Sequence, residues 1–204
     1  MSPCWKTTCG VLLWSLIAAA HVLLAQEAKR PVPSEADQQQ ALAFAKEVYG
    51  EEYKAAKTSE QKRALAEKLI QKASESKSDP ASHFVLLKLA GNVATTGGEA
   101  DLALKAVEEM VSSFEVRPVA MKHEALTKVA QFARSPKQKE AVAQAAIALI
   151  DEAAALDDFD IASEVGKIGQ VAAREARKKE GNGRVSRRIP RRESSGGSGK
   201  NGRQ

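Results

Sequence analysis

Cysteine runs out early in this chain of 204 residues: Cys4 and Cys9 are the only two. Everything downstream lacks the material for a disulfide framework, a thiolate nucleophile or a cysteine metal site, so a domain there must be held together by its core. Aromatic residues make up only 4% of the chain. Sustained two-residue alternation of apolar and polar side chains is missing too, which argues against half-buried strands. Histidine is confined to His21, His83 and His123. With no His-x-x-x-His pair, no Gly-rich phosphate loop followed by lysine and no nucleophile elbow, the sequence offers no catalytic residue, cofactor site or metal site by motif.

What is present begins with an address. Lys6 precedes an apolar run from Gly10 to Ala25 broken only by Ser15 and His21, the layout of an export signal. As a helix its 16 residues would extend roughly 24 Å, short of a hydrocarbon core of about 30 Å. A cleaved signal over residues 1–25 is therefore favoured over an anchor. Cleavage after Ala20 has the small-x-small pattern of Ala18 and Ala20; cleavage after Ala25 is favoured by the Gln-Glu-Ala that follows. An uncleaved membrane anchor is the competing expectation. Cleavage would leave a periplasmic or secreted product free of cysteine, with a short linker at 26–33.

Residues 34–178 are dense in Ala, Leu, Glu, Lys and Gln and long enough for one domain without staples. Helix starts are well marked. Ser34 with Asp37 resembles a capping box and Thr58 with Gln61 has the form of one; Asp79-Pro80 and Ser135-Pro136 place a cap before a first-turn proline; Asp157 or Asp158 opens the last helix. The fold class expected is all-α, with about seven antiparallel helices over 35–55, 59–76, 80–95, 99–114, 117–134, 136–155 and 158–178, in a helical-repeat array or a bundle. Apolar stripes at helical spacing run through Leu42, Ala45, Tyr49 and Tyr53; Leu65, Leu69 and Ala73; Phe84, Leu87, Ala90 and Ala94; and Leu102, Ala106 and Met110. They continue through Val119, Leu126, Ala130 and Ala133; Val142, Ala146, Leu149 and Ala153; and Ile161, Val165, Ile168 and Ala172.

Helix starts at 80, 118 and 158 recur at similar spacing, and Asp101-Leu102-Ala103 is echoed by Asp160-Ile161-Ala162. Residues 80–114 resemble a tetratricopeptide repeat, with Gly91 and Ala103 at its two small positions, although Ala94 replaces the usual tyrosine and the closing proline is missing. More broadly, Val32-Pro33-Ser34, the segment Glu47 to Thr58, Asp79-Pro80-Ala81 and Phe84 to Leu87 resemble an alanine-rich helical domain of uncharacterised exported planctomycete proteins, over about residues 30–178. The resemblance implies export and an all-α fold. It brings no catalytic motif to carry over.

Two local clusters have ordinary explanations. Asp151, Glu152, Asp157, Asp158 and Asp160 lack the residue order of a calcium loop and read as helix capping and first-turn charge. Thr95-Thr96-Gly97-Gly98 reads as a helix stop. His123 lies on an apolar stripe and is expected to be packed with a satisfied ring nitrogen, whereas His83, at a helix start, is expected to be exposed or part of that start.

Beyond Lys178 the charge changes. Residues 174–204 hold eleven Lys or Arg and three Glu, a net of +8, against 20 basic and 23 acidic residues in the remainder. The Gly/Ser/Arg-rich tail at 179–204 has too little apolar material to order itself, and Gly181 to Gln204 is expected to be disordered. Its candidate binding residues for an anionic partner are Arg184, Arg187, Arg188, Arg191 and Arg192. The function expected is therefore an exported, non-enzymatic scaffold or protein-interaction module of the cell envelope, partnered by an envelope or extracellular protein. The alternative is an electrostatic tether whose tail grips anionic lipid, wall polymer or nucleic acid without a specific nucleic-acid motif.

Overall fold

The computed structural model describes residues 29–187, with side chains as far as Lys178. Among these residues there are seven α-helices and no strand: α1 Glu35–Ala55, α2 Ser59–Glu75, α3 Pro80–Gly97, α4 Ala100–Ser113, α5 Pro118–Phe132, α6 Pro136–Ala155 and α7 Phe159–Arg187. The signal segment lies outside the described residues.

Side-chain caps explain most of these boundaries. The Thr58 hydroxyl accepts from the Gln61 amide while the Gln61 side chain accepts from the Thr58 amide, a complete capping box, and Ser135 and Gln138 form a second at the start of α6. Asp79 accepts from the amides of Ala81 and Ser82 ahead of Pro80. The Ser82 side-chain hydroxyl foremost, together with those amides, holds its carboxyl below the usual range despite partial burial. The Ser34 hydroxyl accepts from the Asp37 amide, and Asp158 accepts from the Ile161 amide to open α7. At the end of α3, Gly98 takes the left-handed conformation at φ 76°, and the Gly98 and Glu99 amides close the helix on the Thr95 and Ala94 carbonyls.

The last helix departs from expectation. α7 runs 29 residues to Arg187, where the composition predicted an end at Lys178 and disorder from Gly181. The stretch Ala172 to Glu180 consists of good helix formers, and the first residue that must break the helix is Pro190. Gly181 and Gly183 weaken a helix without stopping it.

Burial follows the predicted stripes closely. Those of α2, α3, α4 and α6 are buried throughout, while Ala130 on α5 and Ile161 and Ile168 on α7 are partly so. Tyr53 is the exception: predicted as core, it is 53% exposed. α1 packs chiefly on α3 and only lightly on α2, so it buries a narrow stripe and leaves the Tyr53 ring largely uncovered. Among the described residues each helix packs along the next and the next but one, and more distant helices meet through side chains at their ends, where Gln138 of α6 reaches Ser59 of α2 and Gly97 of α3. Close approach is built in at α6 and α7, where a Cβ on Gly169 would lie 2.8 Å from that of Ala146.

Ahead of α1, Arg30 is pinned to the loop after α4. Its amide donates to Ser113, its carbonyl accepts from Glu115, and it forms an isolated parallel bridge with Phe114. Phe114 is fully buried, edge-on to Phe84 with ring centroids 5.1 Å apart.

Candidate functional site

Helix ends gather around Glu99, the residue before α4. Its carboxylate accepts from Arg63 Nη1 of α2 at 2.7 Å, and at 3.0 Å lies within reach of the Ser59 hydroxyl of α2 and the Gln138 amide nitrogen of α6. The same amide nitrogen is 2.8 Å from Ser59 Oγ and 2.8 Å from the Gly97 carbonyl that ends α3. Gln138 thus serves two structures. Its carbonyl closes the α6 capping box through the Arg134 and Ser135 amides, and its amide nitrogen, with two hydrogens to share, lies within reach of the other three helix ends.

Gly98 completes the junction, since a Cβ there would lie 3.0 Å from the Phe132 carbonyl of α5 and 3.1 Å from Gln138 Cδ. Burial pushes the Glu99 carboxyl up, but the bonds from Gln138, Ser59 and Arg63 outweigh it, so the group is held below the usual carboxylate range. The bond to Glu99 raises Arg63 in return.

A cleft of about 520 Å³ opens over this junction, rimmed by Glu60, Asp101, Arg134 and Lys137. Its charges are mixed, and at its floor the Glu99 carboxylate already occupies the donors that an incoming anion would use. An ionised carboxylate ringed by donors is suited to holding helix ends together and poorly suited to proton transfer near neutral pH. Nothing in the sequence alone linked Glu99 to Gln138. The legible signal was Gln138 at the third position after the Ser135 cap, and only its carbonyl half could be read from that.

The histidines divide. His83, expected exposed or at the helix start, is only 1% exposed: its Nδ1 lies 2.7 Å from the Ala73 carbonyl and its ring packs 5.6 Å from that of Phe114. A bond to a carbonyl makes Nδ1 the donor, leaving Nε2 buried without a protein partner. His83 does belong to the first turn of α3, its amide donating to the Asp79 carbonyl, but it is not exposed, because the ring is covered by Phe114, a residue 31 positions away in the chain. His123 is partly buried as expected, with Nε2 3.2 Å from Glu164. In the acidic run, Asp158 caps α7 and Glu152 pairs with Lys122 at 2.7 Å. Among the described residues no three His, Cys, Asp or Glu are grouped to hold a metal ion.

A second concavity, about 480 Å³, lies between α1 and α3. Leu42, Val85 and Leu89 give it apolar lining, and Lys46 and Lys88 stand exposed at its edge without an ion-pair partner among the described residues. Other lysines of the domain are engaged: Lys68 with Glu52, Lys72 with Glu75, Lys122 with Glu152 and Lys128 with Glu124.

Of the basic residues proposed from sequence, Arg184 and Arg187 lie on the helical backbone at the end of α7, beyond the described side chains. Arg188, Arg191 and Arg192 lie outside the described residues. No described helix is long and apolar enough to cross a membrane. Comparison of the chain with protein-family models, curated proteins and solved structures found no match in any of the three.

Proposed function

We propose that this chain is an exported, non-enzymatic helical scaffold of the cell envelope, an open array of antiparallel helices that docks a segment of another protein in the groove between α1 and α3. The observation that carries the reading is the packing pattern: each described helix packs along only the next and the next but one, with more distant helices meeting at their ends around Glu99, as in stacked helical repeats. Antiparallel order is supported by which ends meet. The starts of α2, α4 and α6 join the end of α3 at Glu99, while Arg30 meets the end of α4 and, through its guanidinium, the Lys77 carbonyl after α2.

The groove suits an apolar side chain against Leu42, Val85 and Leu89, flanked by carboxylates facing Lys46 and Lys88. The test is a photo-reactive residue at Leu89 of the full chain in intact envelopes. A discrete cross-linked species that disappears when Lys46 and Lys88 are both changed to Glu supports the reading. Absence of any species, or one indifferent to the charge reversal, overturns it.

A further inference from the structure

The charges of α7 are sorted by face. Glu164 and Glu175 lie at the edges of the helix and reach back to the array, pairing with His123 of α5 and Lys139 of α6. Lys167, Arg174, Arg177 and Lys178 are all exposed and have no ion-pair partner among the described residues. At about 100° per residue these four fall within one arc, opposite the buried Val165 and Ala172. The only acidic residue in that arc is Asp160, in the first turn, where it complements the helix dipole. The row of cations extends about 16 Å along the axis. It is flanked by two large apolar side chains of the same helix, Phe159 at 65% and Val171 at 55% exposed.

From this arrangement we infer that the outer face of α7 is a docking surface for an anionic lipid bilayer. Charge complementarity selects an anionic target, and a row of exposed side chains along one face of a single helix matches a plane. The flanking Phe159 and Val171 decide between targets. They gain by entering the headgroup boundary of a bilayer, and they gain nothing against the phosphates of a nucleic acid in water. Aromatic side chains for base stacking are absent from the described part of the helix after Phe159. The inference rests on side chains of the folded domain. It requires neither the groove reading nor the tail arginines.

The experiment uses the full chain with Cys4 and Cys9 changed to Ser and an environment-sensitive fluorophore at Gln170→Cys, in the middle of the row. A second protein carries the same label at Gln71→Cys on α2. Each is mixed with vesicles of phosphatidylcholine alone or with about 30% phosphatidylglycerol.

The expected result is a blue shift at position 170 on the anionic vesicles only, with position 71 unchanged. Changing Lys167, Arg174, Arg177 and Lys178 to Gln should weaken the response at least about tenfold with the tail intact. Circular dichroism checks the fold of that variant, and two double variants, Lys167→Gln/Arg174→Gln and Arg177→Gln/Lys178→Gln, replace it if helicity is lost. The inference is overturned by no shift at 170, or by equal shifts at 170 and 71, which would mean attachment through the apolar run alone. It is equally overturned if neutralising the row has no effect, or if duplex DNA moves the signal and vesicles do not.

Discussion

Helices α1 and α3 are of similar length and lie against each other, yet ten residues of α3 are buried and only Ala45 of α1 is. α3 is covered by α1, α2, α4 and α5, whereas α1 has one substantial neighbour. The difference follows from the number of neighbours. A helix with neighbours on several sides can be apolar nearly all round, and one with a single substantial neighbour can bury a single stripe. α1 adds to its stripe with surface contacts: Lys68 pairs with Glu52 at 2.6 Å and lies 5.8 Å from the centroid of the Tyr49 ring. Exposed pairs of this kind contribute little.

The sharpest way to break the comparison is to cut the same side chain from each helix. Leu87→Ala, at a fully buried site of α3, should destabilise by about 2 to 5 kcal/mol, whereas Leu42→Ala on α1, at a half-covered site, should cost about 1 kcal/mol. Urea titration followed by circular dichroism measures both, and equal losses would mean that α1 belongs to the same cooperative core. Gly98→Ala comes next. It combines left-handed strain with a clash against the Phe132 carbonyl and should cost roughly 2 to 3 kcal/mol, read as a lowered melting temperature.

Glu99 sharpens the comparison through pH, because the junction it holds involves α2, α3, α4 and α6 but not α1. Its carboxyl is depressed in the folded state, so its stabilising contribution is complete above the ordinary carboxylate range and is lost as pH falls through that range toward the folded value. Glu99→Gln should cost about 1 to 2 kcal/mol at neutral pH. The gap to the parent protein should narrow on acidification below about pH 4, and a gap constant with pH would contradict the assignment. The smallest effect expected is at the caps. Thr58→Ala, which opens a complete capping box on α2, should cost about 1 kcal/mol, while Ser34→Ala at the exposed start of α1 should cost less by the same titration.

Helix boundaries were legible because their causes are local. A hydroxyl or carboxylate cap followed by proline or glutamine acts within four residues, and the starts at Ser59, Pro80 and Pro136 fall where those signals place them. Stripes were legible wherever a helix has neighbours along its length, and Tyr53 misled because periodicity says which residues share a face but not whether that face is covered. His83 misled for the same reason in reverse, its cover coming from Phe114 across two helices. The Glu99 junction was the least legible feature. Four helix ends from distant parts of the chain must meet before Ser59, Arg63 and Gln138 become partners of one carboxylate, and no local pattern encodes that meeting. The unpaired face of α7 lay between these cases: the residues were countable, but the inward commitment of Glu164 and Glu175 was not.

The pin at Arg30 acts as a short leash. Only four residues, 26–29, separate Ala25 from Arg30, and a chain of that length cannot span more than about 17 Å even when fully extended. If the apolar run stays in a bilayer, the body is therefore held at the membrane surface, with the Phe114 loop as its nearest fixed point. If the run is removed after Ala25, the peptidase must reach a bond a few residues from a docked backbone edge. Processing and the docking of Arg30 then compete for the same stretch of chain, and slow cleavage of an already folded protein is the kinetic signature that competition would leave.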